Sequence, residues 1–247
     1  MAIQQSNPSA VSEQRAETIA QSETARRLIF IAVGWCVLAG FASGFLVGFV
    51  NGFLRVQNAS LSPPLAFTIQ MLLATGILLI AVKRQTAILG HGNRRIGVDD
   101  GPITRRWLLC VLTLLATMWA FFASFFWNAA LPQSFAAWRN ESSWTLAGFA
   151  IGAVTLAPLA EELFYRGWLW KGLRQHWRAF PTSLLTGGFW LLAHIERGIL
   201  LLGMLLPVAV LLGLTRHFCG IRAAIIVHAL YNLVGILVLI LLRRAAG

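Results

Sequence analysis

Three observations predict an all-α integral membrane protein with about seven transmembrane helices. Hydrophobic residues make up 57% of the 247 residues and charged residues only 12%, against about 45–50% and about 25% in typical soluble domains. The mean hydropathy is +0.71, so a soluble fold would have to expose large apolar patches. The charged residues also lie in short clusters that leave seven long uncharged windows between them. The same composition excludes an intrinsically disordered chain.

The uncharged windows are predicted to be helices that span the membrane. Each window reaches or exceeds the roughly 17–25 residues that a helix needs to cross about 30 Å of hydrocarbon. Strands are not expected, because the windows are longer than a barrel strand and do not alternate in hydrophobicity with a period of two. The predicted spans are Leu28–Leu54, Val56–Val82, Trp107–Trp138, Ser142–Ala160, Ala179–Ile195, Gly198–Thr215 and Ala223–Leu242.

The polar and charged segments predict the domain order and the orientation. Residues 1–27 form a polar N-terminal tail, residues 28–143 carry three spans, and residues 144–242 form a core of four spans. With the N-terminus inside, the inner segments carry 15 Lys and Arg and the outer segments carry 5. This asymmetry predicts a cytoplasmic N-terminus and an extracytoplasmic C-terminus, with the Arg243–Arg244 pair as the exception. We expect a multi-pass protein of a bacterial inner (plasma) membrane.

Polar residues that are costly in hydrocarbon cluster in the last four predicted spans. The first three spans contain no ionisable residue, and such residues inside a span are functional-site candidates. With a rise of 1.5 Å per residue, the candidates lie about 9–20 Å from the inner side. They therefore predict one polar pocket below the cytoplasmic surface. The candidates are Glu161, Glu162, Arg166, His194, His228 and Asn232.

Helical spacing indicates the chemistry of this pocket. Glu162 and Arg166 are four residues apart in the order that favours an ion pair, and His228 and Asn232 have the same spacing. Glu161 is rotated by about 100° from its neighbour and can act as a base toward water. A His and an Asn can donate hydrogen bonds to a tetrahedral oxyanion. The set favours amide hydrolysis by activated water over a covalent nucleophile, because no Ser or Cys is paired with the histidines.

These residues resemble the three motifs of the CAAX protease and bacteriocin-processing family (CPBP, or Abi) of intramembrane glutamate proteases. The Glu-Glu-x-x-x-Arg motif is matched at residues 161–166, and His228 and Asn232 match the third motif. In the second motif, Phe-x-x-x-His, His194 matches but Trp190 replaces the Phe. We expect Trp190 to wall the pocket. The resemblance covers about residues 144–242.

The resemblance implies an intramembrane endopeptidase that cleaves membrane-associated peptides or proteins. It implies that Glu161 activates water with help from His194, and that His228 with Asn232 stabilises the oxyanion. Glu162 and Arg166 would give structural support to the site. The expected partners are the substrate and the lipid bilayer, and no nucleic acid is expected, because the Arg clusters are explained by topology.

Two other functions and one cofactor remain open alternatives. A catalytically silent scaffold or immunity protein of the same fold would be expected to lose motif residues, and only Trp190 departs from the motifs. A proton-coupled transporter would be expected to carry polar residues in both halves of the chain. The mechanism requires no cofactor. Zinc is the alternative, since Glu161, His194 and His228 could supply three ligands, although no HExxH motif is present.

Overall fold

The computed structural model describes residues 8–88, 107, 111–112, 115, 137–138, 140–195 and 199–245. Within these ranges the long elements are all helices and no strand is present, which confirms the predicted all-α fold. The helices are α1 (Pro8–Val56), α2 (Pro63–Ile88), α3 (Ser143–Leu173), α4 (Ala179–Leu192) and α5 (Ile199–Ala245).

Four segments of the described helices are long and apolar enough to cross a membrane, and α4 is apolar but shorter. The predicted count of seven spans stays a prediction, because most of the third predicted span, residues 107–138, lies outside the described residues. By length and composition the four segments are Ser22–Val56, Pro63–Ala87, Ser143–Leu173 and Leu205–Leu241, the last of which is interrupted at Gly220.

Helix α3 is longer than the predicted span Ser142–Ala160. It begins after Ser142, whose hydroxyl accepts a hydrogen bond from the Thr145 backbone at 3.0 Å, and it continues to Leu173. Two stretches are π-helical, Gly152–Leu156 and Glu162–Leu169, and such stretches often mark functional sites. The predicted span Ser142–Ala160 stops before Glu161, because counting uncharged residues treats every charge as a boundary. In the structure Glu162 and Arg166, which follow Ala160, are paired inside the bundle.

Two further boundaries differ from the prediction for local reasons. The second predicted span begins at Val56, but α1 ends there and residues 57–62 form a turn. Helix α2 begins at Pro63, a residue that lacks an N–H and fits the first turn of a helix. The fifth predicted span runs to Ile195, whereas α4 ends at Leu192 and a turn contains Ala193 and His194.

Helix α5 consists of two helices that meet at Gly220, which has φ 83° and ψ 174°. The Ala209 carbonyl accepts a hydrogen bond from Arg166, and His228 bonds to Glu162 at 3.0 Å. Arg166 and Glu162 are themselves paired, yet a straight helix would place residues 209 and 228 about 28 Å apart. The chain must therefore reverse its direction at Gly220, where a positive φ favours glycine.

The first half of α5 packs closely on α4. A Cβ added at Gly213 would lie 2.7 Å from the Ser183 Cβ, and one added at Gly187 would lie 3.3 Å from the Ala209 carbonyl oxygen. A side chain at Gly213 would clash with Ser183, and one at Gly187 would require the neighbouring backbone to shift by a few tenths of an ångström, so these glycines allow α4 to lie close to α5. The reversal at Gly220 then places the second half of α5 against α3.

Helix α1 runs antiparallel to α3. Near one end of the bundle Leu28 packs against Gly172, where an added Cβ would lie 2.9 Å from the leucine. Further along, the Cys36 thiol and the Tyr165 hydroxyl are 3.4 Å apart. Residue numbers thus rise along α1 as they fall along α3, and the N-terminal part of this span lies beside the C-terminal end of α3.

Helix α2 runs parallel to α3, since Phe67 packs on Phe149 with ring centroids 5.8 Å apart and Met71 contacts Gly152. These directions gather most basic side chains of the described residues at one end of the bundle, which we call the basic end. The opposite end carries Arg55, Arg243 and Arg244. The basic end carries Arg26, Arg27, Lys83, Arg84, Lys171, Arg174, Arg178, Arg216 and Arg222.

The opposite end is tied together around Glu141, just before α3. Its backbone carbonyl accepts a hydrogen bond from Arg243 at 2.7 Å. The Ser62 hydroxyl donates a hydrogen bond to the Glu141 carboxylate. This bond, with those from the Ser142 backbone N–H and the Thr145 hydroxyl, holds the pKa of Glu141 below its usual range. The turn after α1, the start of α3 and the end of α5 therefore meet at this residue.

Candidate active site

Glu162 lies at the centre of a buried polar group. Its Oε1 accepts hydrogen bonds from Arg166 Nη1 and from His228 Nδ1, each at 3.0 Å. The side chains of Glu162 and Arg166 are both fully buried. The ion pair predicted from the i,i+4 spacing is therefore present, and the same carboxylate also orients the imidazole. Sequence reasoning did not foresee the contact between Glu162 and His228.

Glu161 is the carboxylate of the pair that can be reached from outside. Its side chain is 17% exposed, whereas that of His228 is 3% exposed. Glu161 Oε2 lies 3.9 Å from His228 Nε2 and accepts a hydrogen bond from the indole N–H of Trp190. The two adjacent glutamates therefore contact different neighbours, because successive side chains on a helix are rotated by about 100°.

Trp190 is surrounded by the other site residues. It is only 2% exposed, and the Arg166 guanidinium lies 5.3 Å from its ring centroid. The His228 ring meets it edge-on at 5.5 Å, and the His194 ring lies 4.6 Å away. His194 Nδ1 is also 2.8 Å from the Trp190 carbonyl oxygen. His194 is therefore placed against Trp190 in the turn that follows α4.

Asn232 shares a face of α5 with His228, but its amide nitrogen donates to the Ala153 carbonyl at 2.7 Å. That carbonyl lies in the π-helical stretch Gly152–Leu156 and is eight residues before Glu161, or about 12 Å along α3. The structure thus brings Asn232 against the N-terminal part of α3. Its role toward an oxyanion stays a prediction.

The converging side chains lie at similar depths from the basic end. Glu161 is twelve residues before Leu173, which is about 18 Å along α3. Trp190 is eleven residues into α4, about 16 Å, and His228 is eight residues beyond Gly220, about 12 Å. Helices that run in different directions therefore present their polar residues in one layer inside the bundle.

Arg216 is a site residue that sequence reasoning missed. It is 3% exposed, and its Nε donates to the Arg166 carbonyl at 2.8 Å. Its guanidinium also lies 4.7 Å from the Trp170 ring, and the Trp170 indole donates to Ser183 Oγ at 3.1 Å. The sequence placed Arg216 at the end of an apolar window, where we interpreted it as a topology charge. Its burial depends on the reversal at Gly220.

The α1 helix also reaches this layer, although the pocket was predicted within the last four spans. The thiol of Cys36 contacts the hydroxyl of Tyr165, the residue that precedes Arg166. Tyr165 is almost completely buried and packs edge-on against Phe164 at 5.0 Å. No sequence pattern linked Cys36 to the glutamates, because 129 residues separate it from Tyr165.

The alternative metal ligands do not form a cluster in the part of the chain that the structure describes. No group of three or more His, Cys, Asp or Glu side chains there could hold a metal ion. Glu161 and His228 approach each other, but His194 Nδ1 is bonded to the Trp190 carbonyl. The need for a cofactor stays a prediction.

Comparison with known families identifies a family that part of the chain resembles. Residues 142–234 match the family model described as type II CAAX prenyl endopeptidase Rce1-like, and this range contains all three motifs from Glu161 to Asn232. No curated protein and no solved structure matches the chain. The match confirms the family resemblance of the motifs. Residues 142–234 of this chain are therefore similar to the Rce1-like type II CAAX prenyl endopeptidases.

Proposed function

We propose that this chain is an intramembrane endopeptidase that hydrolyses peptide bonds of membrane-associated peptides or proteins, with Glu161 as the base that activates water. The observation that carries the proposal is the contrast between the two glutamates. Glu162 is fully buried and bonded to Arg166 and His228, whereas Glu161 is partly exposed beside the same imidazole. A partly exposed carboxylate next to a held hydrogen-bond donor can serve as a base toward water.

The proposed reaction uses side chains of this chain at every step and needs no cofactor. Glu161 takes a proton from water while the water oxygen bonds to the scissile carbonyl carbon. The carbonyl π electrons move onto oxygen, and protonated His228 donates to this oxyanion from Nε2 while Nδ1 stays on Glu162. The intermediate collapses, the C–N bond breaks, and the leaving nitrogen takes the proton that Glu161 holds. The products are a carboxylic acid and an amine, and a proton transfer between them through water then gives a carboxylate and an ammonium group.

His194 and Asn232 are proposed to assist these steps. His194 packs on Trp190, whose indole bonds to Glu161, so it lies next to the residue that holds the base. An Asn amide nitrogen carries two N–H groups. One of them on Asn232 donates to the Ala153 carbonyl, which leaves the second for the oxyanion.

We expect His228→Ala and Asn232→Ala each to lower kcat by roughly 10²–10³-fold, because each removes one donor to the oxyanion. The measurement is turnover of a fluorogenic membrane peptide by purified protein in detergent. His217→Ala is the control, since His217 is an exposed histidine in the first half of α5, before Gly220, and is not part of the proposed machinery. Turnover by His228→Ala within threefold of wild type would contradict the oxyanion role.

We also propose that the basic end faces the cytoplasm and that substrate reaches the site from that side. Without the buried Arg216, eight basic residues with exposed or half-buried side chains lie at this end against three at the opposite end, which is the asymmetry of the positive-inside rule. The N-terminus is then cytoplasmic and the C-terminus extracytoplasmic. Reporters fused after Gly247 should be active only outside the cytoplasm. A reporter that works only in the cytosol would reverse this orientation.

The proteolytic function can be tested in cells without knowing the substrate. Membrane peptides from cells that carry the wild-type chain are compared by mass spectrometry with those from cells that carry Glu161→Ala. We expect a set of peptides with new termini to disappear in the variant at equal protein level. An identical peptide set in both strains would contradict the proposed function.

A further inference from the structure

Trp190 brings to the site a hydrogen-bond donor that a phenylalanine lacks. Its indole N–H donates to Glu161 Oε2, the same oxygen that lies 3.9 Å from His228 Nε2. Trp190 is 2% exposed, so water does not compete freely for this bond. The expected role of Trp190 as a pocket wall does not account for a directed hydrogen bond to the base.

The indole ring is held on several sides, which fixes the direction of its N–H. The Arg166 guanidinium lies 5.3 Å from its centroid, and the His228 ring meets its edge at 5.5 Å. His194 contacts the same residue through its ring and through the backbone carbonyl. Packed rings and a cation–π contact resist rotation of the side chain. The bond to Glu161 is therefore part of a rigid arrangement.

We infer that Trp190 is a positioning residue that holds the Glu161 carboxylate toward His228 and keeps it in its basic form at lower pH than a phenylalanine would. The inference rests on the proposed function of Glu161 as the base. A donated N–H stabilises a carboxylate relative to the carboxylic acid. It also keeps the carboxylate in one rotamer, so that fewer encounters with water are unproductive.

Other charged or titratable groups around Glu161 come from α1, α5 and the turn after α4, and from α3 itself. Trp190→Phe changes none of these titratable groups and removes a hydrogen-bond donor from Glu161 alone. A change in the acid limb, the fall of kcat/KM at low pH, therefore reports on this bond. The groups are His228 from α5, His194 after α4, Cys36 from α1 through Tyr165, and Glu162, Tyr165 and Arg166 on α3 itself.

Trp168→Phe is a matched control for Trp190→Phe. Trp168 is also buried, at 3% exposure, and its indole nitrogen has no hydrogen-bond partner among the described residues. Both substitutions remove one indole from the core and leave a similar cavity. Only the substitution at Trp190 removes an N–H from the base.

We expect Trp190→Phe to lower kcat by about 10–100-fold with KM changed by less than about threefold, because positioning of the base acts on the chemical step. The acid limb of kcat/KM should move to higher pH by about one unit. Trp168→Phe should keep the wild-type acid limb. Equal kcat and equal acid limbs in the two variants would overturn the inference.

Thermal melting in detergent tests the same bond without activity. Trp190→Phe should lower Tm more in the wild-type background than in the Glu161→Gln background, because the amide of Gln accepts a weaker hydrogen bond than a carboxylate. Equal losses in both backgrounds would overturn the inference. Normal cleavage by Glu161→Gln alone would instead refute the proposed base, so failure of the proposed function and failure of the inference give different results.

Discussion

Glu161→Gln is expected to abolish proteolysis, with turnover reduced by at least about 10³-fold, while the protein inserts and folds normally. Glutamine has nearly the same volume as glutamate, and its amide oxygen can still accept the N–H of Trp190. It cannot take a proton from water. The measurement is cleavage of a fluorogenic membrane peptide by purified protein in detergent, together with Tm, which should stay within a few degrees of wild type.

Glu141→Gln provides the matched control for this substitution. Glu141 precedes α3 at the opposite end of the bundle, where its carboxylate bonds to Ser62. The chemical change is the same, but the site is far from the proposed base, so we expect wild-type turnover. Activity of Glu161→Gln within tenfold of wild type would remove Glu161 from the role of base.

Local relations in the site could be predicted from the sequence, because a helix fixes which residues share a face. The pair of Glu162 and Arg166 followed from the i,i+4 spacing alone and is present at 3.0 Å. The contact of Glu162 with His228 spans 66 residues. It depends on the reversal of α5 at Gly220. The predicted spans Gly198–Thr215 and Ala223–Leu242 already place a reversal between them, but spacing along the chain does not say which residues of other helices each span meets.

The lengths of the helices were less predictable than their existence. Counting uncharged residues located the described membrane segments, but it ends the fourth span at Ala160, thirteen residues before the end of α3 at Leu173. A count of uncharged residues contains no information on whether Arg166 and Glu162 form an ion pair inside the bundle. It also cannot know that Arg216 is buried against the Arg166 carbonyl. A membrane helix can continue through charged residues when their side chains are paired inside the bundle. Whether a charged side chain is buried in this way depends on how the helices pack against each other.

The buried pair gives the second large expected effect. Arg166→Met should destabilise the protein by about 3–5 kcal/mol, because it leaves the Glu162 charge buried without its partner. The side chains of both residues are fully buried, and Arg166 also bonds to the Ala209 carbonyl and packs over Trp190. The measurement is thermal unfolding in detergent, read by loss of helical circular dichroism.

Arg27→Met is the matched control, because Arg27 forms an ion pair with Glu23 of the same i,i+4 spacing at 2.8 Å. Its side chain is 75% exposed, and exposed pairs contribute little to stability, so we expect almost no change in Tm. Equal losses of Tm in the two variants would show that burial does not make the Glu162 pair important. The double variant Glu162→Leu with Arg166→Met should regain part of the stability, since no charge is left unpaired. It should stay inactive, because His228 Nδ1 then loses the carboxylate that orients it.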